Sequence, residues 1–395
     1  MFGKRTAVIL GAGASYCYED GYGPLPLQKD IVGRLSAVSV SSGSGAPYFA
    51  GPSGLEHSPG LARVLRKHYG LPEDVPPGAN KLEFWDHIRR RGETLESVYT
   101  ALANLLAQEE QPLLEDFRAI LRTSVRHPIP NRGTSHVCRH HRHLVSGLEP
   151  GDYIINFNWD SLMADALLYH CPFWYPRTGF GPLQLSALMS YRAKTFDLPS
   201  FVQLFQIHGS VLLFDRLEGT SGSRPTGQML YVGPPGYTEG NSLQALGVLT
   251  GGKGTRQVPE FDWASINRGY MHFEGSWFRP FFIPPSMEKG EYRHGYHRML
   301  RTAIHEQLPT TKLYVVIGYS FPAADIAHLS TLFTRGVIAN GAEMMVIDPV
   351  NVDNAFRARV RETFSGMAEY DFGVTDFKAF AARFEEAEGG PPTPS

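Results

Sequence analysis

The stretch TAVILGAGAS, residues 6–15, decides how the chain is read. Thr6–Leu10 is a run of β-branched and apolar residues without polar alternation, which predicts a buried strand. Gly11-Ala12-Gly13-Ala14-Ser15 closes it. Glycines at such a turn let the backbone bend tightly and approach a pyrophosphate, whose charge is met by backbone N–H groups. The full G-x-G-x-x-G fingerprint is not met, because Tyr16 holds the third glycine position. Alone, the loop reads either as a nucleotide turn or as a tight strand–helix connection. The preceding MFGKRTAVIL is too short an apolar run for a signal peptide and leads into GAGAS instead of a cleavage site.

Working outward, Leu27–Ser36 predicts a helix and Ser39–Gly54, rich in Ser, Gly and Pro, a flexible excursion. A helical block follows. Leu95, Val98, Tyr99, Leu102, Leu105 and Leu106 share one helical face, and Leu113, Leu114, Phe117, Ile120 and Leu121 another. His136–Leu148 predicts a further helix. Strands then return at Tyr153–Phe157 and Val202–His208, the second continuing through a turn to Val211–Phe214, with a helix over Asp160–Tyr169. Gly219–Pro259 reads as an irregular insertion. Lys312–Ile317 and Glu343–Ile347 are strands separated by a helix over Ala323–Ala339, and the tail after Gly389 is expected to be disordered.

Strands alternating with helices predict an α/β fold: a Rossmann-type parallel sheet with helices on both faces and an inserted helical module. The expected division is 1–54 for the first part of the sheet domain and 55–150 for the helical module. Residues 151–388 form the remainder of the sheet domain, with the Gly/Pro-rich insertion at about 219–260, and 389–395 form the tail. Such sheets bind ligands at the carboxyl ends of their strands.

Composition excludes several classes. A net charge of −2 gives no global pull towards nucleic acid or anionic membrane. No apolar run approaches the roughly 18–20 residues that span a bilayer, and a cytoplasmic location is expected. Cys17, Cys138 and Cys171 are scattered and form no C-x-x-C pair, so a four-thiolate zinc site is excluded and no zinc is expected. His136, Cys138, His140, His141 and His143 crowd one predicted helix, but Arg139 and Arg142 stand among them. An exposed polar helix face is the plainer reading than a metal site.

Three more motifs fall at strand ends. In Asn156-Phe157-Asn158-Trp159-Asp160, two amides and a carboxylate alternate along an extended segment and can orient a ribose hydroxyl or a water. The alternative is an ordinary turn with Asp160 as a helix N-cap. His208-Gly209-Ser210 brings a histidine out of an apolar strand, as a general base or as a structural histidine. Gly318 and Ser320, in VVIGYSFPAAD ending at Asp325, sit where a strand turns into a helix, as does Asp348 before Pro349.

The order GAGAS, Pro24-Leu25-Pro26, NFNWD, HGS, PFFIPPSMEKG, IGYS and IDP resembles the sirtuin family, and most closely its bacterial antiphage-defence branch, whose members commonly hydrolyse NAD. The resemblance covers residues 6 to 350, apart from the helical and Gly-rich segments. It implies NAD as substrate and an NAD glycohydrolase that releases nicotinamide and ADP-ribose. Asn158, His208 and Asp160 are implied as catalytic residues. Gly11, Ala12, Gly13, Ser15, Pro26, Asn158, Asp160, Gly318, Ser320 and Asp348 are implied as the NAD-binding set. It further implies a homo-oligomer and a separately encoded sensor, such as a HerA-type ATPase. The chain departs from the deacylating members in lacking four zinc-binding cysteines, in Leu27-Gln28-Lys29 where they carry Asp-Phe-Arg, and in Asn156 for their usual threonine. A protein deacylase, an ADP-ribosyltransferase and a non-catalytic nucleotide sensor are the alternatives.

Overall fold

All five residues of the first strand, β1 (Thr6–Leu10), are buried, so both faces of the sheet it centres are covered. The computed structural model describes residues 2–16, 18, 58–73, 83–106, 113–114, 116–118, 121, 137–174, 179–181, 201–218, 224–231, 271–273, 276–283, 295–333 and 338–385. After β1 comes the short α1 (Ala12–Tyr16), then α2 (Pro59–His68), α3 (Glu83–Arg90), α4 (Leu95–Leu105) and α5 (Arg139–Ser146). The parallel pattern resumes with β2 (Tyr153–Asn156), α6 (Leu162–His170) and β3 (Gln203–Gln206). Next are β4 (Gly209–Glu218), β5 (Arg224–Tyr231), β6 (Met271–Phe273), β7 (Ser276–Phe282) and α7 (Gly295–Gln307). The chain closes with β8 (Leu313–Ile317), α8 (Ala323–Leu332), β9 (Glu343–Ile347), α9 (Asn354–Thr363), β10 (Glu369–Val374) and α10 (Phe377–Glu385).

The first sheet has the order β10-β9-β8-β1-β2-β3, and every pairing in it is parallel. Counting its strands along the chain, this is the 3-2-1-4-5-6 order of doubly wound dinucleotide-binding folds read from the other edge. The chain reverses direction of travel across the sheet between β1 and β8, so the topological switch point lies beside the GAGAS turn. The expected α/β, Rossmann-type parallel sheet is present. Its helices form two mutually packed groups, α5 with α6 and α10, and α7 with α8 and α9.

In the helical block, Thr94 and Ser97 exchange backbone-to-side-chain hydrogen bonds in a capping box that starts α4. Leu95, Val98, Tyr99 and Leu102 are buried as the helical period predicts, but Leu105 is 46% exposed. The backbone turns extended at Leu106, which buries itself and leaves Leu105 outside. Tyr69, Phe84, Trp85, Phe117 and Tyr99 make a continuous aromatic cluster there.

Several sequence expectations need correction. A second, antiparallel sheet, β5-β4-β7-β6, grows directly from the end of β3, and β5 lies inside the segment expected to be irregular. Its Pro225 and Gly227 disguise it, and proline is tolerated because β5 is an edge strand. The helix over Ala323–Ala339 stops at Leu332. Asp160 caps α6 instead of belonging to it: its Oδ1 accepts from the Leu162 N–H at 3.0 Å. α5 is shorter than His136–Leu148, and its histidines do not form an exposed face. His141 and His143 are buried, with the His141 ring against Phe377 of α10. Pro26, His136, the Leu27–Ser36 helix, the Ser39–Gly54 excursion and the tail lie outside the described residues. Among the described residues no helix is long and apolar enough to cross a membrane.

Candidate active site

The loops after β1 and β8 meet at the switch point with almost no space between their backbones. A Cβ on Gly11 would lie 2.5 Å from the Tyr319 Cα, and one on Gly13 2.8 Å from the Gly318 Cα. Gly318 has φ +59, and a Cβ there would lie 2.3 Å from the Ala14 nitrogen. All three glycines are thus dictated by the loop–loop approach. Their N–H groups are used in it: Gly11 donates to the Ile317 carbonyl, Gly13 to that of Gly318, and Gly318 to that of Ile347.

The NFNWD segment leaves β2 and folds back on this contact. The Asn156 Oδ1 accepts from the Asn158 N–H at 3.0 Å, a local turn that swings Asn158 over the β1 loop. The Asn158 amide then donates to the Gly11 carbonyl and to the Ser15 Oγ, both at 2.9 Å. Ser15 passes its own proton to the Asp160 Oδ2 at 2.6 Å. One Asp160 oxygen accepts from the Leu162 N–H, beside the N-cap residue Ser161, and the other anchors Ser15. Both amide hydrogens of Asn158 are committed, so its side-chain carbonyl oxygen is the atom it can offer a ligand. Asn156 is fully buried with its Nδ2 unpartnered.

On the other side of Phe157 stands His208, 7% exposed. Its Nδ1 lies 3.0 Å from the Phe157 carbonyl, which belongs to the same peptide as the Asn158 N–H. Its Nε2 faces the Asp325 Oδ1 at 3.3 Å, and the Asp325 Oδ2 accepts from the Tyr319 hydroxyl at 2.7 Å. The Tyr319 ring stacks on Phe157 with centroids 4.5 Å apart. The contacts therefore close into a ring: Gly11, Asn158, Phe157, His208, Asp325, Tyr319 and back to Gly11. Asp325 and Tyr319 were not expected as site residues. Their sequence signal is the buried-type Tyr and Asp in IGYSFPAAD, which says nothing of a histidine in the turn between β3 and β4.

The mouth of the second sheet is laced to the same loops. The Ile283 N–H donates to the His208 carbonyl, the Trp159 indole to the Ile283 carbonyl, and the Ser210 hydroxyl to the Trp159 carbonyl. Gly209, at φ +72, permits the jump between sheets, because a Cβ there would meet the Phe281 carbonyl oxygen at 2.2 Å. Between Tyr319 and Asp325, Phe321 holds φ +53, unusual for an aromatic residue, and is gripped by Tyr319, Phe356 and Phe364. Of the remaining expected positions, Ala12 and Ser320 are exposed. Asp348 caps the turn after β9 through the Val350 N–H. Burial raises the Asp348 carboxyl above its usual range, and that hydrogen bond holds it down.

A second polar group backs the Asn158 chain. Asp165 of α6 accepts from the Ser161 hydroxyl at 2.7 Å, and its other oxygen is buried without a partner. Burial pushes it up to about 7, against the Ser161 hydrogen bond and with help from the charge of Asp160. For His141, burial opposes protonation, but Cys138 and the Asp160 and Asp165 carboxylates outweigh it and raise the group. Among the described residues no group of three or more His, Cys, Asp or Glu is arranged to hold a metal ion.

No family model and no curated protein matches the chain. Among solved structures it is similar to one of a Sir2 histidine-to-alanine variant with a deacetylated p53 peptide and 3′-O-acetyl ADP ribose. The TM-score is 0.34 and the identity 13%, over 98% of this chain and 94% of that one. So loose a superposition bears on neither activity nor ligand.

Proposed function

We propose that this chain is a sirtuin-like NAD hydrolase that cleaves the nicotinamide–ribose bond to give nicotinamide and ADP-ribose. The observation that carries the reading is the closed ring of contacts at the switch point. The ring holds Gly11, Asn158 and His208, and Ser15, Asp160 and Gly318 are attached to it by direct contacts, all positions that the family resemblance implies for the NAD pocket.

The residues suit a dinucleotide with one revision of the expected roles. The Gly11 and Gly13 N–H groups are spent on the facing loop, so phosphate contacts fall to the Ala12 N–H and the exposed Ser320 hydroxyl. The Asn158 carbonyl oxygen is positioned to orient a ribose hydroxyl or the attacking water, and Asp160 steadies it through Ser15. As the C–N bond breaks, nicotinamide leaves with the electron pair and the ribosyl carbon becomes cation-like, a transition-state type known for glycosidic bonds. Water adds to that carbon and gives its proton to the His208–Asp325 pair, whose Nε2 and Oδ1 lie 3.3 Å apart.

The resemblance also motivates a role in antiphage defence by NAD depletion, with self-assembly and a separately encoded controlling partner such as a HerA-type ATPase. A monomer by light scattering that is fully active alone would count against that assembly. The test of the activity is incubation of the purified chain with NAD, alone and with candidate activators, followed by chromatography. Nicotinamide and ADP-ribose are expected in equal amounts. NAD that is bound but stays intact in every condition favours a sensor, and release that requires an acylated peptide favours a deacylase.

A further inference from the structure

We infer that Asp325 is the positioning residue of His208: it fixes the imidazole from the Nε2 side and keeps a proton there. This rests on the NAD-hydrolase reading only for its kinetic consequences. The geometric argument starts from the Phe157 carbonyl. A carbonyl can only accept, so the His208 Nδ1 at 3.0 Å must carry a hydrogen. If the ring were neutral, its Nε2 would then point a lone pair at a carboxylate oxygen 3.3 Å away. Two acceptors facing each other in a buried site repel, so one proton lies between them. The Tyr319 hydroxyl already donates to the second oxygen of Asp325, which favours the carboxylate form and places that shared proton on His208.

Among the described residues, four elements packed on His208 contribute to this. α8 supplies Asp325, the loop after β8 supplies Tyr319, the loop after β2 supplies the Phe157 carbonyl and ring, and Ile283 after β7 holds the His208 carbonyl. Asp325 and His208 are both buried, and α8 begins at the strained turn through Phe321, so the pair is held by covalent structure on both sides. As a base in hydrolysis, His208 must first lose the shared proton. Asp325 therefore makes it a stronger base that becomes available only at higher pH.

The test has a kinetic and a spectroscopic arm. In Asp325→Asn the acidic limb of the rate–pH profile for NAD cleavage is expected to move to lower pH, by about 1–3 pH units, with kcat falling more than KM changes. Tyr319→Phe is expected to move the same limb slightly the other way, because a carboxylate that loses a donor holds the shared proton more tightly. A Tyr319→Phe protein also serves if Asp325→Asn fails to fold. Independently of activity, the histidine side-chain 15N spectrum near neutral pH is expected to show both His208 nitrogens protonated in the native protein. In Asp325→Asn at the same pH only Nδ1 is expected to be protonated, the signal being identified by its loss in His208→Gln. Unchanged His208 resonances in Asp325→Asn, or unmoved pH limbs in both variants of an active enzyme, overturn the inference. Native protein that shows the doubly protonated ring but releases no nicotinamide leaves the pair standing and removes the hydrolase reading.

Discussion

Two chains of hydrogen bonds leave Phe157 in opposite directions. The one towards β1 runs through an amide, a hydroxyl and a carboxylate that caps a helix: Asn158, Ser15, Asp160. The one towards β8 runs through an imidazole, a carboxylate and a phenol: His208, Asp325, Tyr319. An amide and a hydroxyl do not ionise near neutral pH, so the first chain fixes shape. The second holds a proton that can move. On the proposed reading, the same end of one sheet separates placing a substrate from handling its proton, and changes on the two sides are expected to fail in different ways.

The largest effect removes the distinction altogether. Gly318→Ala puts a methyl group where the Ala14 nitrogen is 2.3 Å away, at a φ that alone costs about 1–3 kcal/mol for a non-glycine residue. Both chains depend on that loop contact, so a drop of several kcal/mol in stability, or no soluble protein, is expected in denaturant unfolding. A variant as stable as the native chain would mean that the loops do not meet as described. Gly13→Glu is expected to fail for the same reason, and not merely by repelling phosphate.

Asn158→Ala is the sharper probe of the first chain. It strands the Gly11 carbonyl and breaks the link to Ser15, with an expected loss of about 1–3 kcal/mol. That loss is expected to be the same at pH 6 and pH 8, since nothing in the deleted contacts titrates there. A loss that varies steeply over this range would erase the contrast between the two chains.

A third prediction concerns Asp165, an ionisable group behind the first chain. Asp165 sits at about 7 in the folded protein against 3.8 for a free carboxyl. The native state therefore binds the extra proton between those values, and stability falls as pH rises from about 4 to about 7. Asp152 at the start of β2 has the same sign, pushed up to about 6 by burial against the Glu149 and Thr6 N–H bonds. In Asp165→Asn the first contribution vanishes. The Tm of the variant minus that of the native chain is expected to increase from pH 4 to pH 7 and then level off. A difference that is flat with pH would place Asp165 in water. Ser15→Ala strands the Asp160 Oδ2 and one amide hydrogen of Asn158, and a loss comparable with that of Asn158→Ala, about 1–3 kcal/mol, is expected in denaturant unfolding.

What the sequence disclosed follows the range of the interactions. β1, β2, β8 and β9 were legible to within a residue or so at either end, because each is a largely apolar, mostly buried run that ends at glycine, asparagine or aspartate. The sequence reads the GAGAS glycines as room for a pyrophosphate or as a tight turn, whereas the group they approach is the Gly318–Tyr319 backbone, which no local pattern could name. Asp325 was visible only as the end of a strand–turn–helix phrase, because its partner lies far away in the turn between β3 and β4. The histidines of α5 looked solvent-facing since α10, which buries His141, comes near the other end of the chain. Of the antiparallel sheet only part of β4, over Val211–Phe214, was legible, and β5 reads as a loop because it carries Pro225 and Gly227.

The most direct measurement sets NAD binding beside nicotinamide release for the native chain, Asn158→Ala and His208→Gln. The account predicts that the native chain releases nicotinamide and that both variants lose about 10²–10⁴-fold in turnover. His208→Gln is predicted to keep its affinity for NAD, because the β1 side of the site is untouched. Native-level turnover in His208→Gln, or loss of binding in step with loss of turnover, would contradict it.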